Sequence, residues 1–238
     1  MRAIVLGTLA AAALAGAAPC RAGAASELVT RLESHRKQVI VAYGTSLTAN
    51  GAWVAQLGDV LQTRYPGLAT VINSGGSGMW SEWGVRNLDT RVIQKRPDAV
   101  FIEFGINDSV ERFHCSVEQS RQNLETMIAR ILKSNPRCEV LLMTMTPGDR
   151  YPPGHASHRK EIASYYEMYR AVAKARGLTL IDHYAAWKAL QSKDGDLFRK
   201  YVPDSIHPTP AGCSAVITPA ILAALGLPAA PAQAGGGK

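Results

Sequence analysis

Five short apolar runs recur along this chain and constrain its fold more than any other feature: QVIVAY (38–43), ATVIN (69–73), DAVFIEF (98–104), EVLLMT (139–144) and LTLID (178–182). Each is continuous in hydrophobicity instead of alternating, the pattern of a strand covered on both faces. Between them, Trp53–Thr63, Glu82–Gln94, Glu118–Lys133 and Glu161–Ala175 place apolar residues three and four apart, and a last helix is expected over Ala211–Leu225. Strand alternating with helix predicts an α/β fold. The form expected is a three-layer α/β/α sandwich, flavodoxin-like, with a parallel five-stranded sheet. The 238 residues suit one domain of this size, spanning 25–227.

The two ends of the chain read differently. MRAIVLGTLAAAALAGAAPCRAGAAS has a basic Arg2, an apolar run through Ala18 and then small residues, the pattern of a secretory signal peptide over residues 1–24 with Ala22-Gly23-Ala24 as the cleavage site. The rival is a membrane anchor, but the run is short, alanine-rich and followed at once by polar chain. Lipidation of Cys20 is a further alternative, and Pro19 before it argues against that. No later run has the length of a membrane span. The expectation is an exported protein, periplasmic or secreted, without stable membrane insertion after cleavage. From Pro228 onward PAAPAQAGGGK is low-complexity and reads as a disordered tail, 228–238. The leader holds Arg2, Arg21 and no acid, so the formal charge of +7 falls to +5 without it. Those charges are scattered, with no polybasic block, which leaves nucleic-acid binding without support; a mildly basic surface has at most some attraction for acidic polymers.

In a parallel α/β sheet the functional loops follow the carboxyl ends of the strands. After the first strand comes YGTSLT, where Gly44 permits a sharp turn and Ser46 stands at the start of the next helix. Exposed there, a serine hydroxyl suits a nucleophile, although an N-cap serine would look the same. NSGGSG (73–78) follows the second strand. Its glycines let backbone N–H groups approach a developing negative charge; no lysine follows, as a phosphate loop would require. GINDS follows the third, where Asn107 offers an amide donor, though Asn and Asp also serve plain turns. Near the end, DSIHPTPAG (204–212) holds Asp204 and His207 three apart in a proline-bearing loop. His207 can serve as a base with Asp204 fixing its tautomer, and a surface turn is the bland alternative. Each element alone is ambiguous; together they supply a nucleophile, a base, its orienting acid and oxyanion donors at one sheet edge.

These blocks resemble the SGNH or GDSL-type serine esterases and lipases. Gly44-Thr45-Ser46-Leu47 matches the first family block, Asn73 to Gly78 the second, Gly105-Ile106-Asn107-Asp108 the third and Asp204-Ser205-Ile206-His207-Pro208 the fifth, in family order across residues 38 to 225. The resemblance implies a serine hydrolase acting on carboxylic ester bonds, with Ser46 as nucleophile, His207 as general base and then acid, and Asp204 as its partner. The implied oxyanion hole comprises the Ser46 and Gly75 N–H groups and the Asn107 amide. No cofactor and no metal are expected. Thr45 stands where the family usually has aspartate, which predicts altered hydrogen bonding in the turn and not loss of chemistry.

Aromatic content is low and no long apolar lid segment is present, so the expected substrate is a small acyl ester of acetyl type, on a small molecule or a carbohydrate. A lysophospholipase, thioesterase or arylesterase of the same family is the alternative within chemistry. A non-catalytic carbohydrate-binding or acyl-transferring descendant is the other, with Thr45 its only hint. Trp80 and Trp83 fit a substrate platform or plain core packing equally. His155 and His158, in a long Pro/Gly loop after the fourth strand, read as solvated residues, and the loop is expected to border the cleft. Among the later cysteines, Cys115 and Cys138 flank a helix that separates them by ~30 Å, far beyond the ~7 Å a disulfide spans. A Cys115–Cys213 bond is left open.

Overall fold

The computed structural model describes residues 26–228. The expected signal peptide and nearly all of the expected tail lie outside the described residues. In chain order the elements are α1 (Glu27–Glu33), β1 (Gln38–Gly44), α2 (Ser46–Ala49), α3 (Ala52–Arg64), β2 (Ala69–Asn73), α4 (Ser81–Arg91), β3 (Ala99–Glu103), α5 (Gly105–Asp108), α6 (Val117–Ser134), β4 (Glu139–Thr144), α7 (Ile162–Arg176), β5 (Thr179–Asp182), α8 (His183–Lys193), α9 (Gly195–Tyr201), α10 (Pro210–Gly212) and α11 (Thr218–Ala224). The five strands form one parallel sheet in the order β2-β1-β3-β4-β5, the arrangement expected of a flavodoxin-like sandwich.

Burial along the strands follows from that order. The inner strands β1, β3 and β4 are buried almost throughout, whereas the edge strands β2 and β5 are partly open. Side chains alternate between two cores. Ile40 and Ala42 join Phe101, Leu141 and Met143 beneath α1, α3 and α11, while Val41 and Tyr43 join Val100, Ile102 and Leu142 beneath α4, α6 and α7. Helix starts are marked by side-chain caps: Ser116 for α6, Asp182 for α8 and Asp194 for α9.

Three segments depart from the sequence reading. The helix expected over Glu82–Gln94 ends at Arg91; a 3₁₀ turn over Ile93–Lys95 and left-handed Arg96 follow, ahead of Pro97. A residue preceding proline disfavours the α conformation, so the helix cannot run on to Arg96. Helices α8 and α9 stand where none was read. They bury few side chains, His183 and Trp187 in α8 and Phe198 in α9, so their apolar periodicity is faint. The final helix is interrupted by a π turn over Cys213–Ile217. Pro219, just beyond, lacks an N–H and its ring would strike the carbonyl four residues back, and the wider turn relieves this.

The thiols settle the open pairing. Cys115, Cys138 and Cys213 are all buried and free. Cys213 packs in the cluster under α3 and α11, whereas Cys115 lies 3.9 Å from Ser81 Oγ at the start of α4, against the other layer. The two sulfurs have different surroundings and are not bonded to each other, so the Cys115–Cys213 disulfide left open by the sequence is not made. Burial pushes the Cys115 and Cys138 thiols up to about 12, with nearby carboxylates adding to the shift. All three should resist iodoacetamide in the native protein and react in denaturant without reductant. Peptide mapping that finds two still protected in denaturant would restore a disulfide.

Candidate active site

Parallel registration brings three loops level. Ala42 pairs with Asn73 and Gly44 with Glu103, so the turns after β1, β2 and β3 emerge side by side. Ser46 opens α2, and its N–H, as the first of a helix, has no partner within it. The N-cap is Thr45, whose hydroxyl accepts from the Leu47 N–H at 3.2 Å. That frees the Ser46 hydroxyl from capping.

The C-terminal loop supplies the facing groups. Ser46 Oγ lies 2.8 Å from His207 Nε2, and His207 Nδ1 lies 2.6 Å from Asp204 Oδ2. Asp204 also folds its other oxygen back onto the loop, accepting from the N–H groups of Ile206 (3.0 Å) and His207 (2.7 Å). Ser205 takes a left-handed conformation (φ 69°) that makes this reversal possible. Burial by itself would raise the Asp204 carboxyl, but the His207 ring and these two backbone donors draw it below the usual range. An ionised carboxylate on Nδ1 leaves Nε2 free to accept a proton from a hydroxyl.

The expected oxyanion donors are less uniform. Asn107, 6% exposed, donates one amide hydrogen to the Met79 carbonyl at 2.9 Å. This fixes the amide plane and leaves the second hydrogen to point elsewhere. The Gly75 N–H is engaged, donating to Asn73 Oδ1 at 3.0 Å. Asn73 in turn donates to the carbonyls of Thr48 (2.9 Å) and Ala49 (3.2 Å), tying the glycine loop to α2. A Cβ at Gly75 would fall 2.4 Å from the Ala49 nitrogen, so only glycine lets the two turns approach this closely.

Glu103 escaped the sequence reading, although it is the single acid within β3 itself. It is 1% exposed. Its Oε1 accepts from the Thr45 N–H (2.7 Å) and the Thr48 hydroxyl (2.7 Å), and the Thr45 hydroxyl lies 3.1 Å from both carboxyl oxygens. Thr45 thus replaces the family aspartate with a hydroxyl that can share a buried site with a carboxyl. Gly44 is required here for clearance, since a Cβ would sit 2.2 Å from Glu103 Oε1; the sharp turn expected of it is not the reason. Equally buried, Asp108 accepts from the Ser81 N–H (2.8 Å) and the Ser120 hydroxyl (2.5 Å), locking the third block to α4 and α6.

Trp83 sits 6.0 Å from Tyr43 and 6.5 Å from Phe104, ring centre to ring centre, at the margin of the core. Trp80 stacks on Phe113 at 4.3 Å. His155 stacks on Tyr151 at 3.8 Å and accepts from the Ser157 N–H, and His158 Nδ1 meets the Tyr151 carbonyl at 2.8 Å, so both imidazoles are used within their own loop. That loop does border a cleft of about 480 Å³ that it shares with Asn107.

Burial raises the Glu103 carboxyl to about 7 despite the Thr48 and Thr45 hydrogen bonds. An acid raised by folding ionises first in the unfolded chain, so its effect on stability falls as pH climbs from about 4.5 to about 7 and then levels. Thermal unfolding should show this decline in the wild type. Glu103→Gln should flatten its upper part, leaving the lower slope to Asp108, raised by burial to about 6; an unchanged profile would mean Glu103 is ionised throughout.

Known proteins resemble this chain in sequence and in fold. Residues 40–215 match the model of the GDSL-like lipase/acylhydrolase family. A GDSL esterase/lipase of Arabidopsis thaliana is 25% identical over 198 residues, covering 73% of this chain and 79% of the relative. An isoamyl acetate-hydrolysing esterase 1 homolog of Bos taurus is 28% identical, covering 73% and 76%. The acetylxylan esterase Axe2 of Geobacillus stearothermophilus shares the fold, with a TM-score of 0.68, 21% identity and coverage of 83% of this chain and 98% of that one. With three quarters of its length matched by that family model, the chain belongs to the GDSL-like lipase/acylhydrolase family of serine ester hydrolases.

Proposed function

We propose that this protein is an exported esterase that hydrolyses small acyl esters of acetyl type, carried on a small molecule or a carbohydrate, with Ser46 as nucleophile. The observation that carries the reading is the unbroken chain of close contacts from Ser46 Oγ to His207 Nε2 (2.8 Å) and from His207 Nδ1 to Asp204 Oδ2 (2.6 Å). His207 takes the hydroxyl proton as the oxygen attacks the ester carbonyl, and the resulting imidazolium is stabilised by Asp204. The oxyanion is received by the Ser46 N–H, the free hydrogen of the Asn107 amide and the Gly75 N–H, which shares itself between Asn73 and the ligand. His207 then protonates the leaving alcohol. Water, deprotonated by the same ring, releases the acid and restores the serine. The cycle runs on these side chains and water.

Preference for a short acyl group has two supports. The cleft beside Asn107 carries arginine, lysine and histidine side chains, an unfavourable lining for a long hydrocarbon chain. The Bos taurus relative is named for an acetate ester, and the Geobacillus neighbour for an acetylated xylan. Thr45, the one hint toward a non-catalytic descendant, is absorbed by its bonds to Glu103 and Leu47. Export rests on the leader pattern of residues 1–24.

A fluorophosphonate should label the wild type and fail on Ser46→Ala. Asn107→Ala should lower kcat by ~10²–10³ while the protein stays folded. On a series from acetyl to palmitoyl 4-nitrophenyl esters, kcat/KM should peak at the short end. Activity confined to chains beyond about eight carbons would favour the lysophospholipase or thioesterase reading. Expressed with its leader, the protein should appear outside the cytoplasm with Ala25 at its N-terminus; retention of an intact leader in the cytoplasm would end the export reading.

A further inference from the structure

Arg159 is 9% exposed, yet no carboxylate lies in contact with it among the described residues; the nearest help is the Asp204 charge, acting from a distance. Its Nη1 donates to the carbonyls of Ala156 (2.8 Å) and His158 (3.1 Å). Its Nε is shut off from solvent without any hydrogen-bond partner. Among the described residues no aspartate or glutamate forms an ion pair with it. Buried charges are ordinarily paired, because carbonyl dipoles offset only part of the desolvation cost. Burial draws the guanidinium pKa down and Arg112 pushes it the same way, and the opposing pull of Tyr166 and Asp204 does not make up the loss.

The position of this charge is fixed relative to the reacting groups. The Arg159 N–H donates to the Gly148 carbonyl (2.9 Å), the Gly148 N–H to the Ser205 carbonyl (3.2 Å), and the Thr146 hydroxyl to the Ile206 carbonyl (2.7 Å). The Arg159 loop is therefore laced to the loop bearing Asp204 and His207. On its open side Arg159 lines the 480 Å³ cleft with Asn107, Arg112, His155, His158 and Lys160. Glu111 is the one acid in that lining, against three cationic side chains.

We propose that this cleft is a subsite for an anionic oxygen group, carboxylate or phosphate, carried by the ester substrate and held by Arg159, with Arg112 and Lys160 at its mouth. A neutral sugar hydroxyl could fill a hydrogen bond there but would leave the buried charge uncompensated. With both Nη1 hydrogens on carbonyls and Nε shut off, Nη2 is the group left to meet a carboxylate or phosphate oxygen, and its bond to an anion is charge-assisted from both sides, which a hydroxyl cannot match. The inference rests on the reading of Ser46, His207 and Asp204 as the hydrolytic centre, since Asn107 is shared between that centre and the cleft.

The test compares mono-O-acetyl esters of glucuronate, glucose 6-phosphate and glucose, with 4-nitrophenyl acetate as a reference for the chemistry. At least one anionic sugar ester should exceed the neutral one in kcat/KM by about tenfold, mainly through KM. That advantage should shrink in about 0.5 M NaCl. Which anion gains more identifies the group the cleft prefers. In Arg159→Gln the ratio of anionic to neutral sugar ester should fall to about one, a change that a merely structural role, lowering both alike, would not produce. If that variant does not fold, Arg112→Gln and Lys160→Gln carry the test, and an unaltered ratio in both overturns the proposal. Equal rates on all three sugar esters by an active wild type also overturn it. Failure of the wild type on every ester, 4-nitrophenyl acetate included, would instead sink the hydrolase reading. Calorimetric binding of glucuronate and inorganic phosphate, lost in Arg159→Gln, then decides the subsite by itself, and absence of binding rejects it.

Discussion

The buried carboxyl of Glu103 is the joint between the sheet and the turn that carries Ser46. It lies at the end of an inner strand, out of reach of water, and is satisfied by the Thr45 backbone and the hydroxyls of Thr45 and Thr48. Those bonds dictate much of the surrounding sequence. Gly44 must lack a side chain, position 45 must offer a donor without a second charge, and position 48 must bring a hydroxyl back under the turn. With the turn held from below, α2 starts where Thr45 caps it and the Ser46 hydroxyl is left to the imidazole. Two like charges within hydrogen-bond reach in a buried site repel strongly, so an aspartate at 45 and a glutamate at 103 make a poor pair. Thr45 is a coherent departure from the family pattern.

Much of this was legible in the sequence. The inner strands announced themselves because both of their faces are buried, and the two-sided cover follows from the helices packed above and below. Ser46 and Asn107 could be found because parallel sheets gather their chemistry after the strand ends, and Asp204 and His207, which follow α9 instead, because an acid and an imidazole stand three apart in a proline-bearing loop that matches a family block. What stayed hidden has physical causes. Helices α8 and α9 bury too few side chains to write a period into the sequence. Glu103 and Arg159 are single charges whose burial depends on long-range packing, and no local pattern reports that. The engagement of the Gly75 N–H by Asn73 is an atom-level matter that a glycine-rich motif leaves undetermined.

Two loops far apart in sequence act as one wall of the site. Residues 146–159 and 203–207 are joined by the bonds of Thr146, Gly148 and Arg159, and Arg150 adds a donation to the Pro203 carbonyl. The Asp204–His207 pair is thus braced from behind by a segment that also lines the cleft. Ligand contacts and orientation of the imidazole therefore share one scaffold, and a lengthened or shortened loop would disturb both together.

The three thiols carry a consequence of their own. Each is embedded in packed side chains, and none is bonded to another cysteine among the described residues. Through these three thiols the folded structure gains nothing from oxidants and loses nothing to reductants. Only an opened chain would present these sulfurs to the solvent. Oxidation of these three thiols thus becomes a readout of how often the fold opens.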